Sequence, residues 1–375
     1  MPVTYRHNQV VLFPDGPGFF RSLHAAIRSA QNFVLLEYYM IRADRTGSAF
    51  AAELAEAVKR GVRVLLIYDY IGCVDTPSSY FKNMSQQGIE LIPFNPPSFK
   101  RGVGWFDKRD HRKMAVIDGS LAFLGGFNIG DEYAGVVALL QRFRDVGFSI
   151  SGNAVQDLVR IFSEAWQMER GELPDLLRLQ LSDKNQPRTA KHGHANVSIV
   201  SGGPHHRSSY IRSAYLLSLA SASEEIVIAT PYFVPGPRII RSLLRATRRG
   251  VRVRLLLPSR SDVPLVSFLG RSYYGALLKQ GIEIYELEGE IMHAKVMLID
   301  GERTVIGSAN LDQRSFHRNF EINGIIDSSA FGGQINSMLE DDFKGSRRIL
   351  LEHHEQRGIL ARILEKVVNL FSWFL

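Results

Sequence analysis

The sequence predicts an α/β fold made of two related halves, and two observations lead to this prediction. Short apolar strands alternate with helices along the 375-residue chain, which is typical of α/β domains. A run of residues around His111 also recurs around His293, at an offset of 182 residues. Because a chain of this length can bury two cores, we expect two domains that contribute to one site.

Each half is predicted to run helix, strand, helix, strand, helix before its motif. The strands are expected at 33–38 and 62–68 in the first half, and at 226–229 and 251–257 in the second. The apolar segment 114–117 is typical of a buried strand. Partner strands at 120–124 and 304–306 are expected across tight Asp-Gly turns, at Asp118-Gly119 and Asp300-Gly301.

The polar stretch 182–195, which contains Pro187 and has no apolar periodicity, is the predicted linker. It separates a first domain at 1–181 from a second at 196–345. The remaining segment, 346–375, is predicted to hold an amphipathic helix. Its helix could pack on the protein's own core or lie in a membrane interface, and nearby arginines favour an anionic surface. The candidate membrane-binding residues are Ile363, Val367, Phe371, Trp373 and Phe374.

Composition narrows the class of protein. With 45% hydrophobic and 22% charged residues, the chain is expected to be globular. It has no run of about 18 apolar residues and its first residues lack secretory features, which favours the cytoplasmic face of a membrane, with the protein peripheral or monotopic. The single cysteine, Cys73, excludes an internal disulfide. The net charge of +7 favours a polyanionic partner, and both nucleic acid and anionic lipid qualify.

The repeated run carries five landmark positions in each half. A histidine is followed two residues later by a lysine, and then by an aspartate, a glycine and an asparagine at matching distances. This pattern occurring twice is far more specific than a lone histidine, and it indicates two half-sites that share one phosphate. The two sets are His111, Lys113, Asp118, Gly125 and Asn128, and His293, Lys295, Asp300, Gly307 and Asn310.

These residue types suit phosphodiester chemistry. Lys113 and Lys295 can neutralise the non-bridging oxygens, to which Asn128 and Asn310 can donate amide hydrogens. One histidine can attack phosphorus while the other protonates the leaving alcohol and later acts as a base. The residues alone leave open which histidine is the nucleophile.

Four carboxylate residues, three aspartates and one glutamate, are assigned supporting roles. A working histidine usually has its far nitrogen oriented by a carboxylate. Glu321, which follows His293 by 28 residues, and Asp145, in the comparable place of the first half, are the predicted orienting groups. Asp118 and Asp300 sit at the hairpin turns, where we expect them to hold the backbone rather than contact substrate.

No metal and no nucleotide are expected. A lysine two residues from each histidine shares its strand face, and a fixed cation there would repel a metal but assist a phosphate. The sequence also lacks a His-Glu-x-x-His pattern, paired cysteines and a P-loop.

These residues resemble the twin HKD motif of the phospholipase D superfamily, and the resemblance extends to about residue 345. Three runs are similar, more narrowly, to bacterial cardiolipin synthases of the short subtype that lacks amino-terminal spanning helices. In the first motif Gly126 stands where the second has Ser308, so one hydroxyl that could contact phosphate is missing there. The three runs lie at 125–130, 230–235 and 308–321.

The resemblance implies two tandem phospholipase D-like α/β/α sandwich domains, related by pseudo-twofold symmetry, with the active site at their interface. It implies that His111 forms a phosphatidyl-histidine intermediate and that His293 is the acid and then the base. The implied catalytic set is His111, Lys113, Asp118, His293, Lys295 and Asp300, supported by Asn128, Asp145, Ser308, Asn310 and Glu321.

The implied reaction converts two phosphatidylglycerols into cardiolipin and glycerol without a cofactor. Phosphatidylethanolamine is a second candidate substrate, no nucleic acid or obligate protein partner is expected, and the implied location is the cytoplasmic face of a bacterial inner membrane. Three alternatives stay open: a phospholipase that yields phosphatidic acid, a nuclease of the same superfamily, and a non-catalytic membrane scaffold.

Overall fold

The computed structural model describes residues 2–98, 103–182, 193–204 and 209–356. In the first half the elements are β1 (Thr4–Phe13), α1 (Gly16–Ser29), β2 (Phe33–Tyr38), α2 (Arg45–Lys59), β3 (Arg63–Asp69), α3 (Ser78–Gln86), β4 (Glu90–Phe94), β5 (Lys113–Ile117), β6 (Leu121–Gly125), α4 (Asp131–Ala134), β7 (Phe143–Arg144), β8 (Gly147–Ser151), α5 (Val155–Arg170) and α6 (Asp175–Ser182).

The second half repeats this pattern after residues 183–192, which lie outside the described ranges. Its elements are β9 (Ala195–Gly202), α7 (Tyr210–Ser221), β10 (Glu225–Ala229), β11 (Phe233–Val234), α8 (Gly236–Arg248), β12 (Arg252–Pro258), α9 (Pro264–Arg271), α10 (Tyr274–Leu278), β13 (Glu283–Leu287), β14 (Ile291–Met292), β15 (Val296–Ile299), β16 (Arg303–Gly307), β17 (Leu311–Asp312), α11 (Gln313–His317), β18 (Glu321–Asp327), α12 (Ser329–Lys344), β19 (Ser346–Ile349) and α13 (Leu351–Glu355).

One sheet of 15 strands runs through both halves, in the order β19-β13-β12-β10-β15-β16-β18-β9-β1-β8-β6-β5-β2-β3-β4. In each half three parallel strands continue into an antiparallel group that carries the repeated motif. The antiparallel pair of β1 and β9 joins the two groups at the centre. The α/β class and the two related halves are therefore confirmed, and their sheets are joined edge to edge.

Helices cover both faces of this sheet, so each half is an α/β/α sandwich. One face carries α5 and α12, whose apolar side chains form a single core that spans both halves and includes Phe162, Trp166, Ile335 and Leu339. The other face carries two separate cores, under α1 and α2 in the first half and under α7 and α8 in the second. The shared core ties the halves together on one side of the sheet.

The two predicted Asp-Gly turns are present and connect β5 to β6 and β15 to β16. Asp118 and Gly119 have φ angles of 48° and 59°, and Asp300 and Gly301 have 51° and 68°. Positive φ at both central residues is the type I′ geometry that two-residue hairpins favour, which explains aspartate and glycine there. The turns set the register of the strands that hold the histidine motifs.

Two predicted boundaries need correction. The segment 346–375 does not begin as a helix, because Ser346–Ile349 pairs antiparallel with β13 at the sheet edge, and the described residues then continue through the short α13 to residue 356. The candidate membrane-binding residues of that segment lie outside the described residues. Ala195, placed in the linker, is the first residue of β9. In the part of the chain that the structure describes, no helix is both long and apolar enough to cross a membrane.

Candidate active site

Two short backbone pairings cross between the halves directly beside the two histidines. The amide of His111 donates to the carbonyl of Phe320 at 2.9 Å, and the amide of His293 donates to the carbonyl of Arg144 at 2.8 Å. Immediately before His293, β14 of the second half also pairs with β7 of the first half, in parallel. Each histidine is thereby fixed next to the residue that precedes a carboxylate of the opposite half.

His111 is held by the carboxylate of Glu321. Its Nδ1 lies 3.0 and 3.1 Å from the two Glu321 oxygens. Since an ionised carboxylate only accepts hydrogen bonds, Nδ1 carries the hydrogen and the lone pair resides on Nε2. The side chain of His111 keeps 12% of its surface exposed, while Glu321 is fully buried. The imidazole is therefore oriented yet accessible.

Glu321 is itself held by three neighbours on its own half. Ser308 donates to Oε2 at 2.5 Å, and Ser315 donates to Oε1 at 2.8 Å. Asn319 donates a longer bond of 3.4 Å to Oε1. Ser308, predicted to support the phosphate, thus contacts the orienting carboxylate, and its role in binding phosphate stays a prediction.

His293 is held in the same manner by Asp145. Nδ1 of His293 lies 2.5 Å from Asp145 Oδ2, and the amide of Val146 donates to Oδ1 at 2.8 Å. The His293 side chain is only 6% exposed. The two half-sites therefore differ in access, with His111 the more open one.

Asp145 and Glu321 occupy equivalent positions of the repeat. Gly125 pairs with Gly147 between β6 and β8, and Gly307 pairs with Asn323 between β16 and β18. Each carboxylate precedes the second member of its pair by two residues. The sequence identified both carboxylates, but it could not show that each serves the histidine of the other half.

Gly126 is explained by this arrangement. A Cβ atom on Gly126 would lie 2.0 Å from Oδ1 of Asp145. The space that Ser308 fills in the second half is therefore taken in the first by the carboxylate itself. Position 126 is therefore a glycine because a side chain there would collide with Asp145, the carboxylate that holds His293.

The two motif lysines are almost completely buried beside the histidines. Nζ of Lys113 donates to the carbonyl of His111 at 2.6 Å, and Nζ of Lys295 donates to the carbonyl of His293. Lys295 also lies 3.9 Å from Asp145. Two cations in a site with little water are a strong source of attraction for an anionic group.

Burial lowers the pKa of both histidines. The pKa of His111 falls to about 4, because desolvation outweighs the opposing effect of Glu321. The pKa of His293 is also lowered by burial, and the charge of Lys295 adds to the effect. Both imidazoles are therefore neutral at pH 7, as a nucleophile must be.

Burial and neighbouring charges also shift the pKa values of the lysines and carboxylates around the histidines. Burial lowers the pKa of Lys113 to about 7. Although burial raises the pKa of Glu321, His111 and Lys113 lower it more, so this carboxyl stays ionised. Lys295 and His293 likewise hold the pKa of Asp145 below its usual value against the effect of burial.

Aromatic rings that were not predicted from the sequence contact both histidines. Tyr39 meets His111 edge to face, with ring centroids 5.1 Å apart. Phe143 and Tyr133 flank His293 at 5.0 and 5.5 Å. These rings limit access of water to the imidazoles, a function that no periodic pattern predicts.

The motif asparagines are not equivalent. Asn128 donates to the Tyr133 hydroxyl at 2.8 Å and accepts from the amide of Met40, so its amide is used within the protein. Asn310 is buried, and its Oδ1 has no hydrogen-bond partner among the described residues. A phosphate contact by either asparagine stays a prediction, and Asn310 has the freer side chain.

The motif aspartates contact the backbone at their turns. Asp118 accepts from the amides of residues 31–33 at 2.7–2.9 Å. Asp300 accepts from the amides of residues 223–225 and from the Ser223 hydroxyl. These contacts fit the structural role proposed for both residues and connect each hairpin to the strand beside it.

Comparison with known proteins agrees with this geometry. A family model described as "Cardiolipin synthase, PLD-like domain" matches residues 23–166 and 215–345, one segment in each half. The cardiolipin synthase of Geobacillus kaustophilus is 36% identical over 371 residues, which cover 97% of this chain and 72% of that protein. The cardiolipin synthase 2 of Bacillus cereus is 35% identical over 362 residues, covering 96% and 69%.

Solved structures share the fold at low identity. The crystal structure of phosphatidylserine synthase from Haemophilus influenzae Rd KW20 matches with a TM-score of 0.72 at 13% identity, covering 98% of this chain and 93% of that one. Polyphosphate kinase from Porphyromonas gingivalis matches with a TM-score of 0.61, covering 98% and 53%. Together with the sequence relatives, the site places this chain in the cardiolipin synthase family of phospholipase D-like enzymes.

Proposed function

We propose that this protein is a phosphatidyltransferase that makes cardiolipin from two phosphatidylglycerol molecules and releases glycerol. The observation that carries the proposal is the pair of neutral histidines, each held at Nδ1 by a carboxylate and each accompanied by a buried lysine. This pairing supplies a nucleophile, a second proton carrier and positive charge for one phosphodiester.

In the first step Nε2 of His111 attacks the phosphorus of phosphatidylglycerol. The N–P bond forms as the bond between phosphorus and the glycerol headgroup oxygen breaks. Lys113 and Lys295 offset the charge that gathers on the non-bridging oxygens. The anionic phosphate raises the pKa of His293, so His293 takes up a proton from solvent at Nε2 when the substrate binds and then gives this proton to the oxygen of the departing glycerol.

In the second step a hydroxyl of another phosphatidylglycerol attacks the phosphatidyl-histidine. His293, now neutral, takes the proton of that hydroxyl. The new P–O bond forms, the N–P bond breaks, and His111 is regenerated. One phosphodiester replaces another, so the reaction needs no energy-carrying cofactor. Exclusion of water by Tyr39, Tyr133 and Phe143 favours the lipid alcohol over hydrolysis.

The substrate is a membrane lipid, so we place the enzyme at a membrane surface, and we propose the cytoplasmic face of the inner membrane. Protease treatment of spheroplasts tests the face. Protection until the membrane is opened supports the cytoplasmic side, and digestion of the enzyme in intact spheroplasts contradicts it.

The deciding experiment is mass spectrometry of lipid products. Purified protein is incubated with vesicles of phosphatidylglycerol and phosphatidylethanolamine, beside a His111→Ala control. Cardiolipin formed only by the unmutated protein supports the synthase. Phosphatidic acid without cardiolipin would make the protein a phospholipase, and the absence of any lipid product would contradict both.

A substrate with an activated leaving group tests which histidine is the nucleophile and which is the acid. A p-nitrophenyl phosphodiester of a diacylglycerol has a leaving group that needs no proton. His293→Ala should therefore still release a burst of nitrophenol, while His111→Ala should release none. The reverse pattern would exchange the two roles.

A further inference from the structure

The first half carries an insertion that the second half lacks. Asp145 follows Asn128 by 17 positions, whereas Glu321 follows Asn310 by only 11, although the two pairs are equivalent in the sheet. The extra residues fall in the segment 135–142, which we call the 135–142 loop. Its sequence is GVVALLQR, which is unusually apolar for a surface connection.

The loop is anchored beside His293 at both ends. Tyr133 precedes it and Phe143 follows it, and these two rings stack at 4.8 Å while both contact the imidazole. Between them the side chains face outward: Val136 is 45%, Leu139 54% and Leu140 55% exposed. Three large apolar side chains in one short loop form a patch rather than scattered exposure.

A second segment adds to this patch. Arg260 donates to the carbonyl of Leu140 at 3.0 Å, so this residue lies against the loop, and residues 261–265 follow it directly in the chain. Val263 and Leu265 are 38% and 47% exposed. The carboxylate in this segment, Asp262, accepts a hydrogen bond from Tyr232.

The charges at the patch favour an anionic surface. Arg260 and Arg142 have no ion-pair partner among the residues that the structure describes. Their guanidinium groups hydrogen-bond to loop carbonyls, those of Leu140 and Val137. The carboxyl of Glu290 lies near Arg142, and although burial raises the pKa of this carboxyl, the charges of Arg144 and Arg142 lower it in part. Apolar side chains accompanied by arginines are the composition of a segment that lies in the interface of an anionic bilayer.

We infer that the 135–142 loop, with Val263 and Leu265, inserts into the surface of an anionic bilayer and delivers the lipid headgroup to His293. This inference rests on the proposed function, because it requires a lipid substrate. The contact is distinct from the predicted terminal helix, and it explains why only one half-site carries the insertion. The half with His293 would receive the glycerol hydroxyl directly from the membrane.

The experiment places a fluorophore in the loop of the full chain. Cys73 is 4% exposed and burial raises the pKa of its thiol to about 12, so it resists labelling. The cysteine of Leu139→Cys is labelled with an environment-sensitive dye, and Leu217→Cys, at a leucine of α7 that is somewhat more exposed, is the control. Vesicles of phosphatidylglycerol and phosphatidylcholine are then added, and in parallel vesicles of phosphatidylcholine alone.

We expect the emission of the label at residue 139 to shift to the blue with the anionic vesicles, while the label at residue 217 does not respond. In the unlabelled protein, Leu139→Ser with Leu140→Ser should weaken vesicle binding by about tenfold or more. An unchanged emission at residue 139 in the presence of bound vesicles would overturn the inference. So would a loop substitution that changes the oligomeric state on gel filtration, because the patch would then bind a second copy.

The experiments distinguish failure of this inference from failure of the proposed function. Vesicle binding is measured without turnover, so a blue shift without cardiolipin would leave the loop as a membrane contact and reject the synthase. The double serine variant should still cleave a water-soluble p-nitrophenyl phosphodiester as fast as the unmutated protein. Loss of that cleavage would mean that the loop supports the site's geometry instead.

Discussion

Glu321 in the second half of the chain bonds to His111 in the first, at 3.0 and 3.1 Å from Nδ1. The reciprocal bond joins Asp145 of the first half to His293 of the second. Each half therefore supplies one histidine and the carboxylate for the other histidine. The pairing gives each substitution at a carboxylate a defined effect on the opposite half-site.

Glu321→Gln and Asp145→Asn should each reduce kcat by about 10²–10⁴-fold, because an amide holds the wrong imidazole tautomer. The two variants should differ with the p-nitrophenyl lipid substrate. Glu321→Gln should slow the nitrophenol burst because it disturbs the nucleophile, whereas Asp145→Asn should spare it. If Asp145→Asn abolished the burst and Glu321→Gln did not, the carboxylates would not act through the histidines that they contact.

Asp118→Ala should lower stability more than catalysis. The substitution removes the side-chain acceptor of three backbone amides, of which that of Phe33 is partly buried, and places alanine at a positive φ, so the free energy of unfolding should fall by about 1–3 kcal/mol. Thermal denaturation and kcat of the folded fraction measure the two effects. Asp118→Asn, which tolerates this φ, is the milder control. A loss of kcat as large as that of His111→Ala would instead assign Asp118 to the chemistry.

The pH profile should be limited on its alkaline side by Lys113. The charged lysine is the working form, and because its pKa is lowered to about 7, it loses its proton as the pH rises through that value. We expect kcat/KM to fall above about pH 7 and the limb to move upward in Lys113→Arg, whose guanidinium stays charged. On the acid side His111, with a pKa of about 4, remains neutral well below pH 6.5. A profile that is flat into the alkaline range would contradict this assignment.

Gly126→Ser should damage the His293 half-site. The new side chain would collide with the Asp145 carboxylate and displace the imidazole partner, which should cost about 10²-fold in kcat. Ser308→Ala is the matched control at the equivalent position. It removes one hydrogen bond from Glu321, which keeps Ser315, so its loss should be smaller. Equal activity of Gly126→Ser and the unmutated protein would show that Asp145 can move without consequence.

The sequence predicts the elements that have a local physical signal and misses those that do not. β2 was predicted with its observed bounds because it is a mostly apolar run, and all six of its residues are buried. The Asp-Gly turns were predicted because their positive φ angles favour aspartate and glycine. β1 was missed, since Arg6, His7 and Asn8 interrupt its apolar pattern although it lies at the centre of the sheet. A central strand with a polar, bulged section has no local signal.

Prediction of the active site has the same limit, because the sequence reports local geometry but not contacts between the halves. The repeat identified His111, Lys113, His293 and Lys295 because identical spacing reports identical local geometry. It could not assign Asp145 to His293, since that contact depends on how the two halves meet. Neither could it separate the two asparagines, because their difference depends on a side-chain contact: Tyr133 accepts a hydrogen bond from the Asn128 amide, whereas Ser315, at the equivalent position of the second half, accepts one from the backbone amide of Asn310.

The junction of β1 and β9 also bears on how this protein denatures. Opening one half would strip hydrogen bonds from the central strand and expose the apolar core that α5 and α12 share. Neither half can therefore melt while its neighbour stays intact, and we expect a single cooperative transition, with calorimetric and van't Hoff enthalpies in agreement. Even if one half could lose its structure alone, the other would hold a histidine without its carboxylate, so we expect damaged molecules to lose catalysis outright instead of releasing phosphatidic acid through uncontrolled hydrolysis.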